Sequence, residues 1–278
     1  MEGEGNIRKL KGQLNETQQV TYQWHQANIL DSLPPVDMAS WIGKELRLEA
    51  TGSIHCTVTG KRIRKTYGDG MSFDAFQNSP LAVESIIHPE LSRIHEGIAL
   101  RDKDWEEKHH NQPHVVYLSY TSGIKVGVTR DTNVPFRWID QGASGATILA
   151  NTPYRQLAGL IEVALKDHFA DKTLWKKMLT SGNPTREVVG RALLDAKDTA
   201  YESCPPEFEP FLDDGEEVTH LHYPGLDFPD KVSSLSLSKI PVIHGKLKAI
   251  KGQYLLFNDG SVFNVRRHSG YRVRWSIS

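Results

Sequence analysis

The sequence predicts an α+β protein with a small α/β sandwich core and a β-rich segment on each side of it. Strand and helix patterns alternate in the middle of the 278-residue chain, whereas short apolar runs separated by turn residues dominate both flanks. The composition is 38% hydrophobic and 24% charged, which is ordinary for a globular protein and excludes wholesale disorder. We therefore expect three segments: an N-terminal β-rich or irregular segment over residues 1–112, the core over 113–200, and a C-terminal segment over 201–278.

The core segment begins with two strands. HVVYLSY (114–120) and GIKVGVT (123–129) are compact apolar runs, and the short TSG between them predicts a hairpin turn. After a break at Pro135, a short helix is expected from Phe136, and ATILAN (146–151) predicts a third strand.

Two longer helices complete the predicted core. The first is expected over PYRQLAGLIEVALKDHFAD, where Pro153 suits the first turn and apolar residues recur at helical spacing. PTREVVGRALLDAKDTA (184–200) predicts the second. The order strand, strand, helix, strand, helix is typical of a small domain with helices packed on a short sheet.

The N-terminal segment has a strand signal in KELRLEATGSIHCTV (44–58), followed by the basic run KRIRK (61–65). This run is either the solvated face of a strand or a patch that contacts phosphate groups. Near the end of the segment, histidines lie among acidic residues, and they either ligate a divalent metal or remain solvated on the surface. These histidines are His88, His95, His109, His110 and His114.

The C-terminal segment begins acidic and ends basic. Residues 191–230 have a net charge of −9, and residues 231–278 have a net charge of +8. Short strands with turn residues between them predict a β-rich extension in the basic part. The sequence leaves open whether this extension packs with the N-terminal strands. Its aromatic side chains either stack on nucleic-acid bases or form a core, with the charges balancing the acidic linker. These aromatic residues are Tyr254, Phe257, Phe263, Tyr271 and Trp275.

The remaining composition limits the class of protein. The net charge of −1 and the pI of about 6.9 give no global field, so any nucleic-acid binding depends on local charge. Cys56 and Cys204 are too few for a disulfide scaffold or a zinc site built from four cysteines. The first residues are polar and no apolar run is long enough to cross a membrane, so we expect a cytoplasmic protein.

Two single residues are unusual on physical grounds. Glu162 is the lone charge in GLIEVAL, so it is paired, binds a cation, lies at a cleft edge or simply reaches solvent. Arg137 opens RWIDQGA beside a Gly-rich turn, where a guanidinium holds either a phosphate oxygen or a structural carboxylate such as Asp140. No Walker loop, dinucleotide fingerprint, GxSxG elbow or HExxH helix accompanies them.

The strings VYLSYTSGIKVGVTR, RWIDQGA, AGLIEVALK and IKGQYLLFNDGSVFNVRRHSGYRV resemble an uncharacterised bacterial domain-of-unknown-function family from about residue 40 to residue 275. The KVGVTR and RWIDQGA strings are its signature. Many members have a cysteine-rich N-terminal stretch that looks like a zinc site. Here Cys56 remains, but Thr59, Ser72 and Ala75 stand where such members have cysteines, which implies a cysteine-poor branch without that zinc site.

The core segment also resembles the GIY-YIG endonuclease superfamily, over roughly residues 114–170. The similarity lies in a strand with VYL, a strand with KVG-x-T, an arginine, a further strand and a helix with a glutamate. Tyr117 lies in the first motif strand, and Lys125 stands where classical members have a tyrosine. Arg137 corresponds to the superfamily's arginine and Glu162 to its metal-binding glutamate.

This second resemblance implies phosphodiester hydrolysis. Tyr117 would orient or deprotonate the attacking water, and Lys125 would be a cation beside the phosphate. Arg137 would stabilise negative charge on the scissile phosphate, and Glu162 would hold one Mg²⁺ or Mn²⁺ that stabilises the leaving oxygen. We expect these four side chains to converge on one concave surface.

The sequence therefore predicts a metal-dependent, nuclease-like protein that acts on DNA or RNA. One alternative is a non-catalytic nucleic-acid or ribonucleoprotein binding protein that retains the fold. Another is a protein-interaction module held together by its acidic and basic halves. The residues expected to contact nucleic acid are Lys61, Arg62, Arg64, Lys65, Arg130, Lys248, Lys251, Arg266, Arg267 and Arg272.

Overall fold

The structure, a computed structural model, describes residues 1–169, 173–225 and 227–278. The strands are β1 (Glu2–Ile7), β2 (Lys11–Leu14), β3 (Val20–Trp24), β4 (Gln26–Asn28), β5 (Asp31–Ser32), β6 (Val36–Asp37), β7 (Glu45–His55), β8 (Arg62–Ile63), β9 (His114–Tyr120), β10 (Ile124–Arg130), β11 (Gly145–Thr152), β12 (Thr219–His220), β13 (Ser233–Leu235), β14 (Val242–Lys251), β15 (Tyr254–Phe257), β16 (Ser261–Asn264) and β17 (Tyr271–Ile277). The α-helices are α1 (Phe73–Asn78), α2 (Lys103–His110), α3 (Phe136–Asp140), α4 (Arg155–Ala164), α5 (Trp175–Thr180) and α6 (Arg186–Ser203). The predicted α+β class is confirmed. No helix in the described part of the chain has the length and apolarity needed to cross a membrane.

The chain folds into two compact units whose borders differ from the three predicted segments. The first unit comprises residues 1–77, 179–183 and 222–278, and the second comprises residues 78–178 and 184–221. Residues 78–112 and 201–221 therefore belong with the central strands rather than with the chain ends. The reason is that contacts between elements distant in the sequence, which a scan along the chain does not detect, define each unit.

The first unit is built on one large sheet that joins both ends of the chain. Its strand order is β13-β16-β15-β14-β7-β17-β1-β4-β5, and β8 pairs with β7. The sequence had left open whether the terminal strands pack together. They share a sheet because β17 pairs antiparallel with both β1 and β7. A separate three-stranded sheet has the order β2-β3-β6.

Aromatic side chains fill the core of this unit. The ring centroids of Trp24 and Trp41 lie 6.0 Å apart, and those of Trp41 and Trp275 lie 5.1 Å apart. Phe257, Phe263 and Trp275 are at most 5% exposed. Of the two interpretations that the sequence left open, core packing therefore holds for these three residues, and they are not available to stack on bases.

Cys56 lies in the first unit, where the family resemblance places a lost zinc site. Its Sγ accepts the backbone N–H groups of Thr59 at 3.4 Å and Ser72 at 3.2 Å, and Ser72 Oγ accepts the N–H of Ala75 at 3.2 Å. Burial raises the pKa of this thiol, but hydrogen bonds from Thr59, Ser72 and Val58 outweigh burial and bring the pKa to about 7. Hydrogen bonds therefore link Cys56, Thr59, Ser72 and Ala75, the four positions considered for the zinc site.

The second unit is a four-stranded antiparallel sheet with α4 and α6 packed on one face. The strand order is β10-β9-β11-β12. Val116 and Leu118 of β9 lie in one buried cluster with Ile161 of α4 and Leu193 of α6. Because side chains alternate between the faces of a strand, Tyr117 points to the opposite face. That face is where α3 packs, since the rings of Tyr117 and Trp138 meet edge to face at 6.0 Å between centroids.

The elements predicted for this unit are present, with shifted ends. The turn between β9 and β10 is closed by the Thr121 N–H, which bonds the Gly123 carbonyl at 3.0 Å. α3 begins at Phe136 as predicted. α4 is shorter than predicted: it ends at Ala164, and turns follow it over residues 165–168. The predicted helix extended to residue 171, and its residues 170 and 171 lie outside the described ranges.

Gly159 allows α4 to lie against the 3-10 turn Pro89–Leu91. A Cβ at this position would lie 2.2 Å from the backbone nitrogen of Glu90 and 2.5 Å from the carbonyl carbon of Pro89. Gln156 Nε2, one turn earlier, donates to the Glu90 carbonyl at 3.1 Å. This close approach brings Glu90 toward the helix that contains Glu162.

We expect Gly159→Ala to destabilise the protein by about 1–3 kcal/mol, because backbone atoms cannot move aside as a flexible side chain can. The matched control is Gly190→Ala in α6, where the nearest atom to an added Cβ is His220 Cε1 at 3.9 Å. The control should stabilise the helix by about 0.5–1 kcal/mol. Urea unfolding followed by circular dichroism measures both, and equal midpoints for the two variants would contradict this account.

Candidate functional site

The site is organised around the buried side chain of Tyr117. Tyr117 is 0% exposed and lies opposite Gly127 in the β9–β10 pairing. A Cβ on Gly127 would lie 2.7 Å from Tyr117 Oη and 2.8 Å from Cζ. The glycine of the KVG string therefore has a steric role, because the tyrosine ring occupies the space that any other side chain would take.

The Tyr117 hydroxyl is linked to Arg137 through the amide of Gln141. The amide orientation that satisfies all three groups lets the Gln141 carbonyl accept from Arg137 Nε at 3.1 Å and Nη2 at 3.2 Å, while the amide nitrogen donates to Tyr117 Oη at 3.0 Å. Gln141 therefore holds the guanidinium of Arg137, and Tyr117 fixes the amide of Gln141. Tyr117 and Gln141 act as its positioning residues.

Tyr117 is protonated at neutral pH. Burial raises the pKa of its phenol, and the nearby Glu162 carboxylate raises it further, while Arg137 and Gln141 lower it without cancelling the effect of burial. A neutral hydroxyl donates and accepts hydrogen bonds but does not remove a proton from water. In this structure it contacts other side chains rather than solvent.

Glu162 is a partly exposed carboxylate on α4. Burial raises the pKa of its carboxyl, Lys125 and Arg155 oppose that shift, and Glu90 adds to it. Among the residues that the structure describes, no cationic group lies within 4.0 Å of this carboxylate. Its charge is therefore compensated only over longer distances, which leaves its oxygens open to a further ligand.

The four residues predicted from the sequence influence one another electrostatically. Arg137 and Glu162 both shift the pKa of Tyr117, and Lys125 shifts the pKa of Glu162. Tyr117 and Lys125 come from the two paired strands, Arg137 from α3 and Glu162 from α4. Direct contact is shown for Tyr117, Gln141 and Arg137, whereas Lys125 and Glu162 act on this group through their charges.

A basic cavity of about 240 Å³ adjoins this group on the side of Arg137. None of the residues that line it is acidic. The lining residues are Ile86, Trp105, His109, His110, Val128, Thr129, Arg130, Asn133, Arg137 and Arg155.

Of the three arginines in this cavity, Arg155 is the one that the sequence did not identify as a candidate. It is 9% exposed, and its Nε and Nη2 donate to the carbonyls of Ser85 at 2.8 Å and Ile86 at 3.0 Å. Burial lowers the pKa of its guanidinium to about 10, Arg137 and Arg130 lower it as well, and Glu162 opposes them. The spacing in the sequence could have identified it. Arg155 and Glu162 lie seven residues apart, so they share one face of the predicted helix.

The predicted nucleic-acid residues lie in several environments. Arg130 lines the basic cavity, whereas all the others belong to the first unit. Lys61, Arg62, Arg64, Lys65 and Arg267 are exposed, and Lys248 is partly buried. Arg266 bonds both carboxylate oxygens of Asp69 at 2.8 Å, and Arg272 bonds Glu4 at 2.8 Å. Arg266 therefore pairs with a carboxylate, whereas Arg272 shares the carboxylate of Glu4 with Arg274.

Lys251 was wrongly predicted to contact nucleic acid. Its side chain is 0% exposed, its Nζ donates to the Gly182 carbonyl at 3.2 Å, and it lies over the rings of Tyr223 and Phe228. A fully buried ammonium group does not reach a bound polyanion. The strand register explains the error, because β14 turns Lys251 inward while the partly exposed Lys248 shares its strand.

The histidine-rich segment does not assemble a metal site within the described residues, where no group of three or more potential ligands occurs. Glu106, one of its carboxylates, is fully buried and accepts the N–H groups of Leu100, Arg101 and Asp102. His110 is also buried, and burial lowers the pKa of its imidazole to about 3. These groups therefore stabilise the start of α2 and its packing.

We expect Gly127→Ala to destabilise the protein by about 1–3 kcal/mol, because the new methyl group overlaps the Tyr117 hydroxyl. Tyr117→Leu removes the overlapping atoms, so the double variant should be less destabilised than the sum of the two single changes. Gly123→Ala in the same hairpin has nothing within 4 Å and should change stability by less than about 0.5 kcal/mol. Additive effects in urea unfolding would contradict the proposed contact.

We expect the wild type to gain stability relative to Lys251→Met as pH rises from 8 to 10.5. Burial lowers the pKa of Lys251 from 10.5 to about 8, so the unfolded chain binds more protons across this interval and folding becomes more favourable as pH increases. The slope is at most about 1.4 kcal/mol per pH unit. Urea unfolding of both proteins at several pH values measures the difference, which a pH-independent value would contradict.

Comparison with known proteins gives a family and no further relative. No curated protein matches the chain, and no solved structure matches it. The sequence model of the family described as "Protein of unknown function (DUF2797)" matches residues 43–273, which include Tyr117, Lys125, Arg137 and Glu162. The match agrees with the resemblance over about residues 40 to 275 that the sequence predicted. The chain therefore belongs to the DUF2797 family of proteins of unknown function.

Proposed function

We propose that the second unit hydrolyses phosphodiester bonds of nucleic acid in the cytoplasm, with a Mg²⁺ or Mn²⁺ ion at Glu162. One observation carries the proposal. The guanidinium of Arg137 and the incompletely neutralised carboxylate of Glu162 both act on the buried hydroxyl of Tyr117. A guanidinium and a metal-binding carboxylate around one point are the two groups that phosphodiester hydrolysis needs to stabilise negative charge.

The donor set fits a hard divalent cation. Glu162 is desolvated and has no cationic group within 4.0 Å in the described part of the chain, so an ion would relieve the cost of burying its charge. Mg²⁺ is commonly held by one or two carboxylates, with water and substrate phosphate oxygens as its other ligands. Glu162 would be the protein ligand, with Glu90 as the second carboxylate in its electrostatic range. When bound, the ion would supply Lewis-acid stabilisation of negative charge on the phosphate.

The chain's own residues have distinct roles in this proposal. Arg137 binds the non-bridging oxygens of the phosphate, and its fixed position on Gln141 reduces the entropy lost on binding. Lys125 adds a second positive charge beside Glu162. Tyr117 holds Arg137 in place and keeps its proton, so it supports the site without acting as the base.

The alternative is a non-catalytic nucleic-acid or ribonucleoprotein binding protein. The full burial of Tyr117 favours this alternative. The GIY-YIG resemblance implies that Tyr117 orients or deprotonates water, but its side chain does not reach solvent in this structure. The basic cavity beside Arg137 would bind phosphate groups equally well without cleavage.

The proposal is tested by cleavage of labelled single-stranded and double-stranded DNA and RNA, with Mg²⁺, with Mn²⁺ and with chelator. We expect metal-dependent cleavage by the wild type, loss of the metal response in Glu162→Gln, and a rate lowered about 10²–10³-fold in Arg137→Gln. Glu187→Gln and Arg191→Gln are matched controls, since these exposed residues pair with each other on α6. Both controls should cleave at the wild-type rate.

Two results would contradict the proposal. One is cleavage that is unaffected by Glu162→Gln. The other is the absence of cleavage by the wild type together with binding that weakens steeply as salt rises, which would favour the binding protein instead.

A further inference from the structure

The basic cavity brings together three arginines, Arg130, Arg137 and Arg155, that lack a carboxylate partner in the described part of the chain. Elsewhere in the described chain, seven arginines lie within 4.0 Å of a carboxylate: Arg47, Arg93, Arg101, Arg191, Arg266, Arg272 and Arg274. Within the same described ranges, none of the three cavity arginines has such a partner. Three guanidinium groups around one small cavity repel one another, and an anion bound among them would relieve that repulsion.

The donors of these arginines are only partly used. Arg155 bonds two backbone carbonyls through Nε and Nη2, and its Nη1 has no protein partner among the described residues. Arg137 directs Nε and Nη2 to Gln141. Arg130 is partly exposed and makes no side-chain hydrogen bond within the described part of the chain. A guanidinium has five N–H donors, so each of the three retains donors for a ligand.

The other walls of the cavity limit what the ligand is. The Trp105 indole stacks on the His109 ring at 4.3 Å between centroids, with the rings 13° from parallel. His109 Nδ1 contacts the Trp105 carbonyl at 2.7 Å, which fixes the ring and leaves Nε2 for other contacts. Asn133 Nδ2 donates to Thr129 Oγ1 at 3.0 Å. The cavity thus combines fixed polar groups with one aromatic wall.

We propose that this cavity binds a phosphate monoester, in the form of the terminal phosphate of a nucleic-acid strand, next to the site at Tyr117. A monoester has a charge of about −1.5 to −2 at neutral pH and three terminal oxygens, and it therefore suits three guanidinium groups better than an internal diester with a single charge. The volume of about 240 Å³ accommodates a phosphate group and part of a sugar, which would lie against Trp105. An internal diester would need an exit for the chain on both sides.

This inference rests on the proposed function only in taking the phosphate to be the end of a nucleic-acid strand. Arg137 lines the cavity and also belongs to the site at Tyr117, so a strand end bound here would place a following phosphodiester near Glu162. Binding of the phosphate itself does not require cleavage or a metal ion. It is therefore measured in chelator, and its failure would leave the cleavage assay unaffected.

The test is calorimetric titration of the full chain, in chelator at constant ionic strength, with inorganic phosphate, with a 5′-phosphorylated oligonucleotide, with a 3′-phosphorylated one and with the same strand bearing only hydroxyl ends. We expect phosphate to bind, and one phosphorylated strand to bind at least about tenfold more tightly than the hydroxyl strand. Arg130→Gln should weaken both interactions about tenfold or more, since it removes one of three cations at the ligand. Arg191→Gln, which removes an exposed cation from the same unit, should bind like the wild type.

Thermal unfolding distinguishes a variant that does not bind phosphate from one that does not fold. Phosphate should raise the melting temperature of the wild type and of Arg191→Gln, and should raise that of Arg130→Gln less, each measured against the same protein without ligand. Binding of phosphate with equal affinity for phosphorylated and hydroxyl strands would reassign the ligand to a free phosphate or a mononucleotide. No phosphate binding by the wild type, or equal binding by Arg130→Gln, would overturn the inference.

Discussion

The buried hydroxyl of Tyr117 is the point on which the candidate site depends. It fixes Arg137 through Gln141, it requires a glycine at position 127 on the neighbouring strand, and it lies in the field of Glu162. A polar group that is fully buried must be hydrogen-bonded, so this contact restricts both the sheet and α3. The KVG string and the RWIDQGA string of the sequence therefore meet at one hydroxyl group.

The distribution of charge in the second unit follows from that arrangement. Burial removes Glu162 and Arg155 from most of the water, and no ion pair compensates either of them within 4.0 Å in the described residues. Incompletely compensated charges of both signs in one site are costly for folding and are commonly retained where a ligand completes them. An anion beside the arginines and a cation at Glu162 would balance both, and a nucleic-acid phosphate with a divalent ion supplies the two together.

Much of the second unit was predictable from the sequence, because its strands and helices are short-range patterns. The hairpin at Thr121 and the start of α3 at Phe136 followed from turn and breaker residues. The sharing of one sheet by β1, β7 and β17 was not predictable, since local periodicity contains no information on which distant strands pair. Lys251 shows the same limit, because a basic residue on a strand is assigned to the surface unless the register is known. Arg155 was not identified because its role depends on Arg130 and Arg137, which lie on other elements and line the same cavity. An arginine at the start of a helix does not by itself indicate a binding cavity.

The most direct test of the central claim is a crystal structure of the full chain with Mn²⁺ and an uncleavable oligonucleotide that bears a terminal phosphate. Manganese is identified by its anomalous signal, and the phosphate by its density. The account predicts an ion bound to a Glu162 carboxylate oxygen, with a backbone phosphate between this ion and Arg137. An anomalous peak elsewhere, or a Glu162 carboxylate paired with Lys125 while the nucleic acid lies on another surface, would contradict it.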